Sequence, residues 1–301
     1  MRKLIVLGFV GLIAQLIDGS LGMAYGVTSS TLLIAAGVAP AAASAAVHFS
    51  ELGTSLVSGA SHHKFGNVDW RTVSILAVPG FVGAFLGATL LSNMDAAVAK
   101  PVVAVILLGL GFYVVYRFLR LGGARPTFKG RPSVAFLAPM GLVAGTLDAV
   151  GGGGWGPVGT TSLLSSGRLE PRKVVGSIDT SEFVVAVGAS LGFLFGLGSA
   201  GINWGYAGAL LAGGVVAAPI AAWLVKHLAA RVLGVAAGGL IVLTNTKTLL
   251  ESLGAPGVVI ALTAAVIFTL WVTGIAWAVK QERLARALAT SDDRPVEPAT
   301  A

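Results

Sequence analysis

The chain contains no cysteine, and few of its 301 residues carry a charge. Without cysteine there can be no disulfide framework, no thiolate metal site and no cysteine nucleophile. Charged residues occupy only 11% of the positions, whereas a soluble domain carries roughly 25%. Most of the chain therefore has no aqueous surface to form, and this excludes an ordinary soluble domain.

Motifs for enzymatic chemistry are also scarce. Neither an HExxH motif nor a Walker motif occurs, so we expect no enzyme activity, no bound metal, no cofactor and no ATP hydrolysis. The net charge of +7 does not form a basic stripe with interleaved aromatic residues, which makes nucleic acid an unexpected partner. In a membrane protein, such a charge is typical of cytoplasmic loops.

Apolar residues and glycine dominate instead. Hydrophobic residues make up 55% of the chain, 42 residues are glycine, and the mean hydropathy is +0.87. A membrane-spanning helix needs about 20 apolar residues. Candidate apolar segments run over 4–37, 40–60, 70–92, 96–119, 134–166, 171–197, 204–226, 230–250 and 256–280.

Two of these segments, 4–37 and 134–166, are too long for one helix. Each is interrupted by an acid followed by glycines, first at Asp18-Gly19-Ser20-Leu21-Gly22 and then at Asp148 with Gly151 to Gly154. Glycine costs about 1 kcal/mol relative to alanine inside a helix, so both runs predict a helix break. We expect each segment to form a broken, re-entrant helical hairpin.

The chain repeats itself. Gly11-Leu12-Ile13-Ala14, Asp18 and Tyr25-Gly26 recur 130 positions later as Gly141-Leu142-Val143-Ala144, Asp148 and Trp155-Gly156, and Ser50-Glu51 recurs as Ser181-Glu182. The shared order of the matches indicates two homologous halves. We divide the chain into a first repeat (1–119), a basic cytoplasmic linker (120–133), a second repeat (134–250), an extra transmembrane helix (251–280) and a cytoplasmic tail (281–301), which is expected to be disordered or a short surface helix.

Loop charge predicts the orientation. Basic residues cluster between the halves, at Arg117, Arg120, Arg125, Lys129 and Arg131, and this places the linker in the cytoplasm. Counting outward puts the C-terminus inside and the N-terminus outside. The fold expected is thus an all-α integral membrane protein with about seven transmembrane helices, two broken re-entrant hairpins and two inverted repeats, as in many secondary transporters.

Two glutamates fall near the middle of the membrane. Glu51 and Glu182 each lie eleven residues after a proline that starts a segment, roughly 16 Å along a helix. His48 and Asp179 precede them by one helical turn and share their faces. Ionisable groups at this depth are costly and are candidates for function. A role in proton coupling or gating and a role as structural ties between helices both remain open.

The two breaks supply a candidate anion site. A half-helix that begins inside the membrane presents free N–H groups and a positive dipole end, and small hydroxyl side chains follow each break. The alternative is that these glycines and small hydroxyl residues only permit close helix packing. Asp18 and Asp148 are expected to cap the breaks, and the His62-His63-Lys64 run to lie on a cytoplasmic loop. The predicted substrate-binding residues are Gly22, Tyr25, Thr28, Ser29 and Thr31 with Gly152, Gly153, Trp155, Thr160 and Thr161.

Three motifs carry a family resemblance over nearly the whole chain. The Asp18-Gly19 hairpin, the loop Gly66-Asn67-Val68-Asp69-Trp70 and the helix Pro79-Gly80-Phe81-Val82-Gly83-Ala84 resemble the sulfite exporter TauE/SafE family. The resemblance implies a bacterial carrier, mostly an exporter, for sulfite or an organosulfonate.

We therefore expect a secondary transporter, an exporter, that carries a small sulfur-containing anion across the cell inner membrane, and proton coupling is the mechanism to test. The alternative is a cation or metal–proton antiporter that uses Glu51, Glu182, Asp179 and His48 as ligands. The expected partners are the small anionic substrate and the lipid bilayer. The sequence leaves open whether two copies form a homodimer.

Overall fold

The computed structural model describes residues 2–21, 23–120, 130–166, 168–224 and 230–292, and every regular element within them is helical. The first half contains α1 (Arg2–Leu21), α2 (Tyr25–Ala35), α3 (Pro40–Lys64), α4 (Trp70–Ser92) and α5 (Ala96–Arg120). The second half contains α6 (Val134–Gly151), a π-helical turn (Trp155–Thr160) that runs into α7 (Thr161–Ser166), α8 (Pro171–Leu197), a short 3₁₀ turn (Ser199–Gly201), α9 (Trp204–Leu224) and α10 (Ala230–Ser252). The last helix is α11 (Gly257–Asp292).

Local sequence signals explain several helix ends. Pro40 stands in the first turn of α3, where its missing N–H is not needed. The Asp69 side chain accepts a hydrogen bond of 2.8 Å from the Thr72 amide and so caps α4. Both breaks expected in the long segments occur, between α1 and α2 and between α6 and the π-helical turn.

The helices are those of a membrane protein. Among the described residues, five helices are long and apolar enough to cross a bilayer, and they are Trp70–Ser92, Ala96–Arg120, Val134–Gly151, Lys173–Leu197 and Gly257–Ala285. No residue in the most apolar stretch of α11 is buried, which is expected where lipid replaces water. The protein is therefore an all-α membrane protein, and the total of seven spans and the re-entrant course of the hairpins stay predictions.

The two halves pack in an equivalent way. Helix α1 packs on α9, and its counterpart α6 packs on α4, while α3 contacts α8 and α5 contacts α10. Glycines 130 positions apart make the two equivalent crossings close, because Gly11 faces the backbone of Leu210 and Gly141 faces that of Leu76. Small residues let membrane helices approach in this way. Inversion of one half relative to the other stays a prediction.

The tail departs from its prediction. The last helix does not end at residue 280 but continues without interruption to Asp292. The segment after Lys280 is rich in good helix formers, Glu, Arg, Leu and Ala, and these extend the span into a longer helix. Arg125 and Lys129 of the linker and the predicted site residue Gly22 lie outside the described residues.

Candidate functional site

The two helix breaks meet inside the protein. Gly26, at the start of α2, lies against Gly152 and Gly153 of the other half so closely that a methyl group on it would overlap their backbone. Gly152 has a φ of +68° and Gly153 a φ of +157°, conformations that favour glycine. The glycines singled out in the second break therefore serve both the turn and the contact between the halves.

Aspartates cap both breaks. The Asp18 carboxylate accepts a hydrogen bond of 3.1 Å from the Tyr25 amide. One oxygen of Asp148 accepts from the amides of Gly154 at 2.6 Å and Trp155 at 2.9 Å. The capping role expected of the two aspartates is confirmed. It also follows that part of the N–H groups at each half-helix end is already satisfied by the protein itself.

Some of the hydroxyl groups after the breaks make hydrogen bonds within the protein, and others do not. Thr31 accepts a hydrogen bond of 2.9 Å from Asn245 of α10, and Thr161 donates to the Pro157 carbonyl within its own helix. The hydroxyls of Thr28 and Ser29, in the first turns of α2, are buried and make no hydrogen bond. An unsatisfied buried hydroxyl is costly, so these two are the hydroxyls best placed for a ligand.

The two aromatic residues at the breaks anchor them to neighbouring helices. The Tyr25 hydroxyl shares a hydrogen bond of 2.9 Å with Ser50 of α3. Trp155 donates from its indole nitrogen to the Ile178 carbonyl of α8 at 3.1 Å. Trp155 is almost fully buried, as is Thr160 beside it. These hydrogen bonds indicate that Tyr25 and Trp155 stabilise the two breaks.

Glu51 and His48 form a buried cluster with an acid from the other half. His48 Nδ1 lies 2.8 Å from Glu51 Oε2 and 3.9 Å from Asp148 Oδ2. His48 Nε2 lies 3.2 Å from the Asp148 carbonyl oxygen. Each of the three residues is at most 2% exposed. The sequence predicted the pairing of His48 with Glu51, and it gave no signal for the third member.

Glu182 lies in different surroundings. It lines a small polar cleft of about 10 Å³ together with Gln15, Asp18, Tyr25, Glu51, Thr54, Ser55, Ser58 and Asp179. Asp179 accepts a hydrogen bond of 2.9 Å from Ser58 and lies 3.3 Å from His62 Nε2. Glu51 therefore borders both the closed cluster and the cleft. The two predicted glutamate pairs are brought to one region of the core.

His62 corrects one expectation. It was expected on a cytoplasmic loop, but it lies in the last turn of α3 and faces Asp179 of the other half. Its spacing from Ser58 of four residues puts both side chains on one helix face, a signal that could have been noticed. No pattern in the sequence pointed to Gln15 and Thr54 as residues of the cleft.

A serine motif in α8 has no enzymatic context. Gly188-Ala189-Ser190-Leu191-Gly192 fits the pattern GxSxG. In hydrolases this pattern needs a sharp turn between a strand and a helix. Here it lies inside the long helix α8, where Gly188 and Gly192 allow close contact with Phe81 and Phe85 of α4. The motif is explained by helix packing.

Comparisons with known proteins agree on the family. The family model described as "Sulfite exporter TauE/SafE" matches residues 7–248. The "Probable membrane transporter protein YtnM" of Bacillus subtilis (strain 168) is 50% identical over 280 residues, which cover 91% of this chain and 92% of the relative. No solved structure matches the chain. With the helical membrane fold and the paired breaks, these matches show that the chain belongs to the TauE/SafE sulfite exporter family and is a membrane transporter.

Proposed function

We propose that this protein is a secondary carrier that exports a small sulfur-containing anion, sulfite or an organosulfonate, across the cell inner membrane together with protons. The family description, sulfite exporter, supports the substrate class. The observation that carries the proposal is the meeting of two capped half-helix ends in the core, beside two unengaged hydroxyls, Thr28 and Ser29.

The start of α2 is the part of the site best suited to an anion. A helix N-terminus carries partial positive charge, and its amides point at the ligand. The buried hydroxyls of Thr28 and Ser29 lie in the first turns of this helix and can donate to an oxyanion. Sulfite and sulfonate groups each present three oxygens, which suit several such donors.

The acids around this position explain why protons would accompany the anion. Two like charges about 6 Å apart repel by roughly 3 kcal/mol at an effective dielectric near 20. Glu182 shares the cleft with the carboxylates of Glu51, Asp18 and Asp179, and His62 contacts Asp179. A proton on Glu182 removes one of these charges. By linkage, anion binding and proton binding then favour each other.

Transport in proteoliposomes tests the proposal. Vesicles that contain the purified protein should release sulfite or an organosulfonate when a pH gradient is imposed, and empty vesicles should not. Release that ignores the pH gradient would overturn the coupling, and absence of any sulfur-anion flux would overturn the substrate class.

A cation carrier is the second candidate, because four carboxylates, those of Asp18, Glu51, Asp179 and Glu182, line the cleft. The same vesicles distinguish the two functions. A cation carrier would move protons in exchange for metal or alkali cations and would ignore sulfite and sulfonates.

A further inference from the structure

In the cluster of His48, Glu51 and Asp148, several side-chain atoms that could bind a metal have no hydrogen-bond partner. One ligand atom from each residue lies within 4.8 Å of the others. His48 Nδ1, both Glu51 carboxylate oxygens and Asp148 Oδ2 are buried and make no aligned hydrogen bond. His48 Nδ1 and Glu51 Oε2 are 2.8 Å apart, a separation that suits either a proton shared between them or two ligands of one cation.

The histidine tautomer is fixed by its other nitrogen. His48 Nε2 lies 3.2 Å from the carbonyl oxygen of Asp148, and a carbonyl oxygen only accepts hydrogen bonds. Nε2 therefore carries the hydrogen, and in the neutral ring Nδ1 presents its lone pair to the carboxylates of Glu51 and Asp148. With a neutral ring, three electron-rich groups face each other in a dry core, so either a proton on Nδ1 or a cation has to lie between them.

We propose that His48 Nδ1, Glu51 and Asp148 Oδ2 bind a divalent first-row transition-metal cation, of the Zn²⁺, Co²⁺ or Mn²⁺ class. Imidazole and carboxylate ligands suit these metals, with bonds of about 2.0–2.2 Å. The observed separations of 2.8 and 3.9 Å from Nδ1 to the two carboxylates bracket the distance of about 3 Å between neighbouring ligands that such bonds give. The charge of the ion also balances the two carboxylates.

The groups behind the three ligands are arranged as metal sites require. A metal-binding histidine usually donates its other N–H to a carbonyl or a carboxylate, and His48 Nε2 does so with the Asp148 carbonyl. The ligating carboxylate is itself held, because Asp148 Oδ1 accepts from the Gly154 and Trp155 amides and leaves Oδ2 unengaged. Glu51 also lines the cleft, so the cluster and the cleft are adjacent.

The equivalent positions of the second half do not form the same cluster. Asp179 stands where the first half has His48, so the imidazole is missing. Asp179 is engaged by Ser58 and His62. Among the described residues, only the group of His48, Glu51 and Asp148 gathers three metal-ligand side chains. The halves therefore offer a matched control within one chain.

Co²⁺ binding to the full-length protein in detergent tests the site. After treatment with a chelator, the wild type should bind one Co²⁺ per chain by isothermal titration calorimetry, with visible absorption bands of a Co²⁺ centre with mixed nitrogen and oxygen ligands. His48→Gln and Glu51→Gln should each weaken binding by about tenfold or more. Glu251→Gln, at an exposed position on α10, should leave it unchanged, and Glu182→Gln, the equivalent change in the second half, should weaken it much less than Glu51→Gln does.

Three results would overturn the proposal. The wild type could bind neither Co²⁺, Zn²⁺ nor Mn²⁺, which would assign the cluster to a proton alone. His48→Gln and Glu51→Gln could bind like the wild type, or only Glu182→Gln could lose binding, which would place the ion in the cleft. Thermal unfolding of each variant checks that it is folded. The readout needs no sulfur anion and no transport, so its failure is separate from failure of the proposed function.

Discussion

Asp148 accepts a hydrogen bond of 2.9 Å from the amide of Trp155, seven residues further along the chain. The same spacing of seven recurs in the first half, where Asp18 accepts from the Tyr25 amide at 3.1 Å. A carboxylate at the end of one helix thus holds the start of the next across each break. The sequence repeat therefore also repeats this contact between an aspartate and a backbone amide.

Loss of the two caps should have unequal effects. Asp148 holds two amides and Asp18 is seen to hold one, and a hydrogen bond to a charged group contributes about 1.5–3 kcal/mol. Asp148→Ala should therefore lower the thermal unfolding midpoint in detergent more than Asp18→Ala does. The measurement is made with a chelator present, so that bound metal does not contribute. Equal midpoints for the two variants would contradict this assignment.

Gly153→Leu should abolish substrate binding while the protein still inserts into the membrane. A Cβ at this position would overlap the backbone of Gly26 and Val27, and φ is +157°, so the two breaks could no longer meet. Sulfite binding and the amount of protein in the membrane fraction are measured together. Gly109→Leu is the control, because a Cβ on Gly109 has nothing within 4 Å. A Gly153→Leu protein that still binds sulfite would show that the contact of the breaks is not part of the site.

Glu182→Gln should separate binding from coupling. Protonation of Glu182 removes a negative charge near the anion, so wild-type binding should strengthen as the pH falls. The glutamine imitates the protonated acid, and the variant should bind the anion with a flatter pH profile and lose flux driven by a pH gradient.

Glu251→Gln serves as its control, since Glu251 is exposed on α10 and pairs with Lys247 at 3.7 Å. This variant should transport like the wild type. A wild-type pH profile and rate for Glu182→Gln would make Glu182 a structural residue.

The orientation is open to direct labelling, because the chain has no native cysteine. Lys3→Cys and Thr290→Cys should react with an impermeant maleimide from opposite sides of the membrane, with the N-terminus outside. This follows from the basic linker and from an odd number of spans in each half. Reaction of both positions from the same side would refute the inverted repeat.

The position of a helix was predictable from the sequence where the length of the apolar segment agreed with the capping or helix-breaking residues at its ends. The segment 70–92 matches α4, since Asp69 caps its start, and the breaks follow from their glycine runs. Contacts between the halves were not predictable, because nothing in the order of residues brings Asp148 to His48, 100 positions away. The predicted end of the last helix, at residue 280, differs from its end at Asp292. The residues after Lys280 are charged, but Glu, Arg and Ala favour helix.

The last helix stands apart from this design. It packs against α10, and no residue in its most apolar stretch is buried. The family match ends at residue 248, before this helix begins at Gly257. The two halves pack against each other directly, and α11 lies beside them against α10. It meets the rest of the protein through α10, where Trp271 lies against Gly239, so its outward face adds apolar area toward lipid at a distance from the centre where the breaks meet.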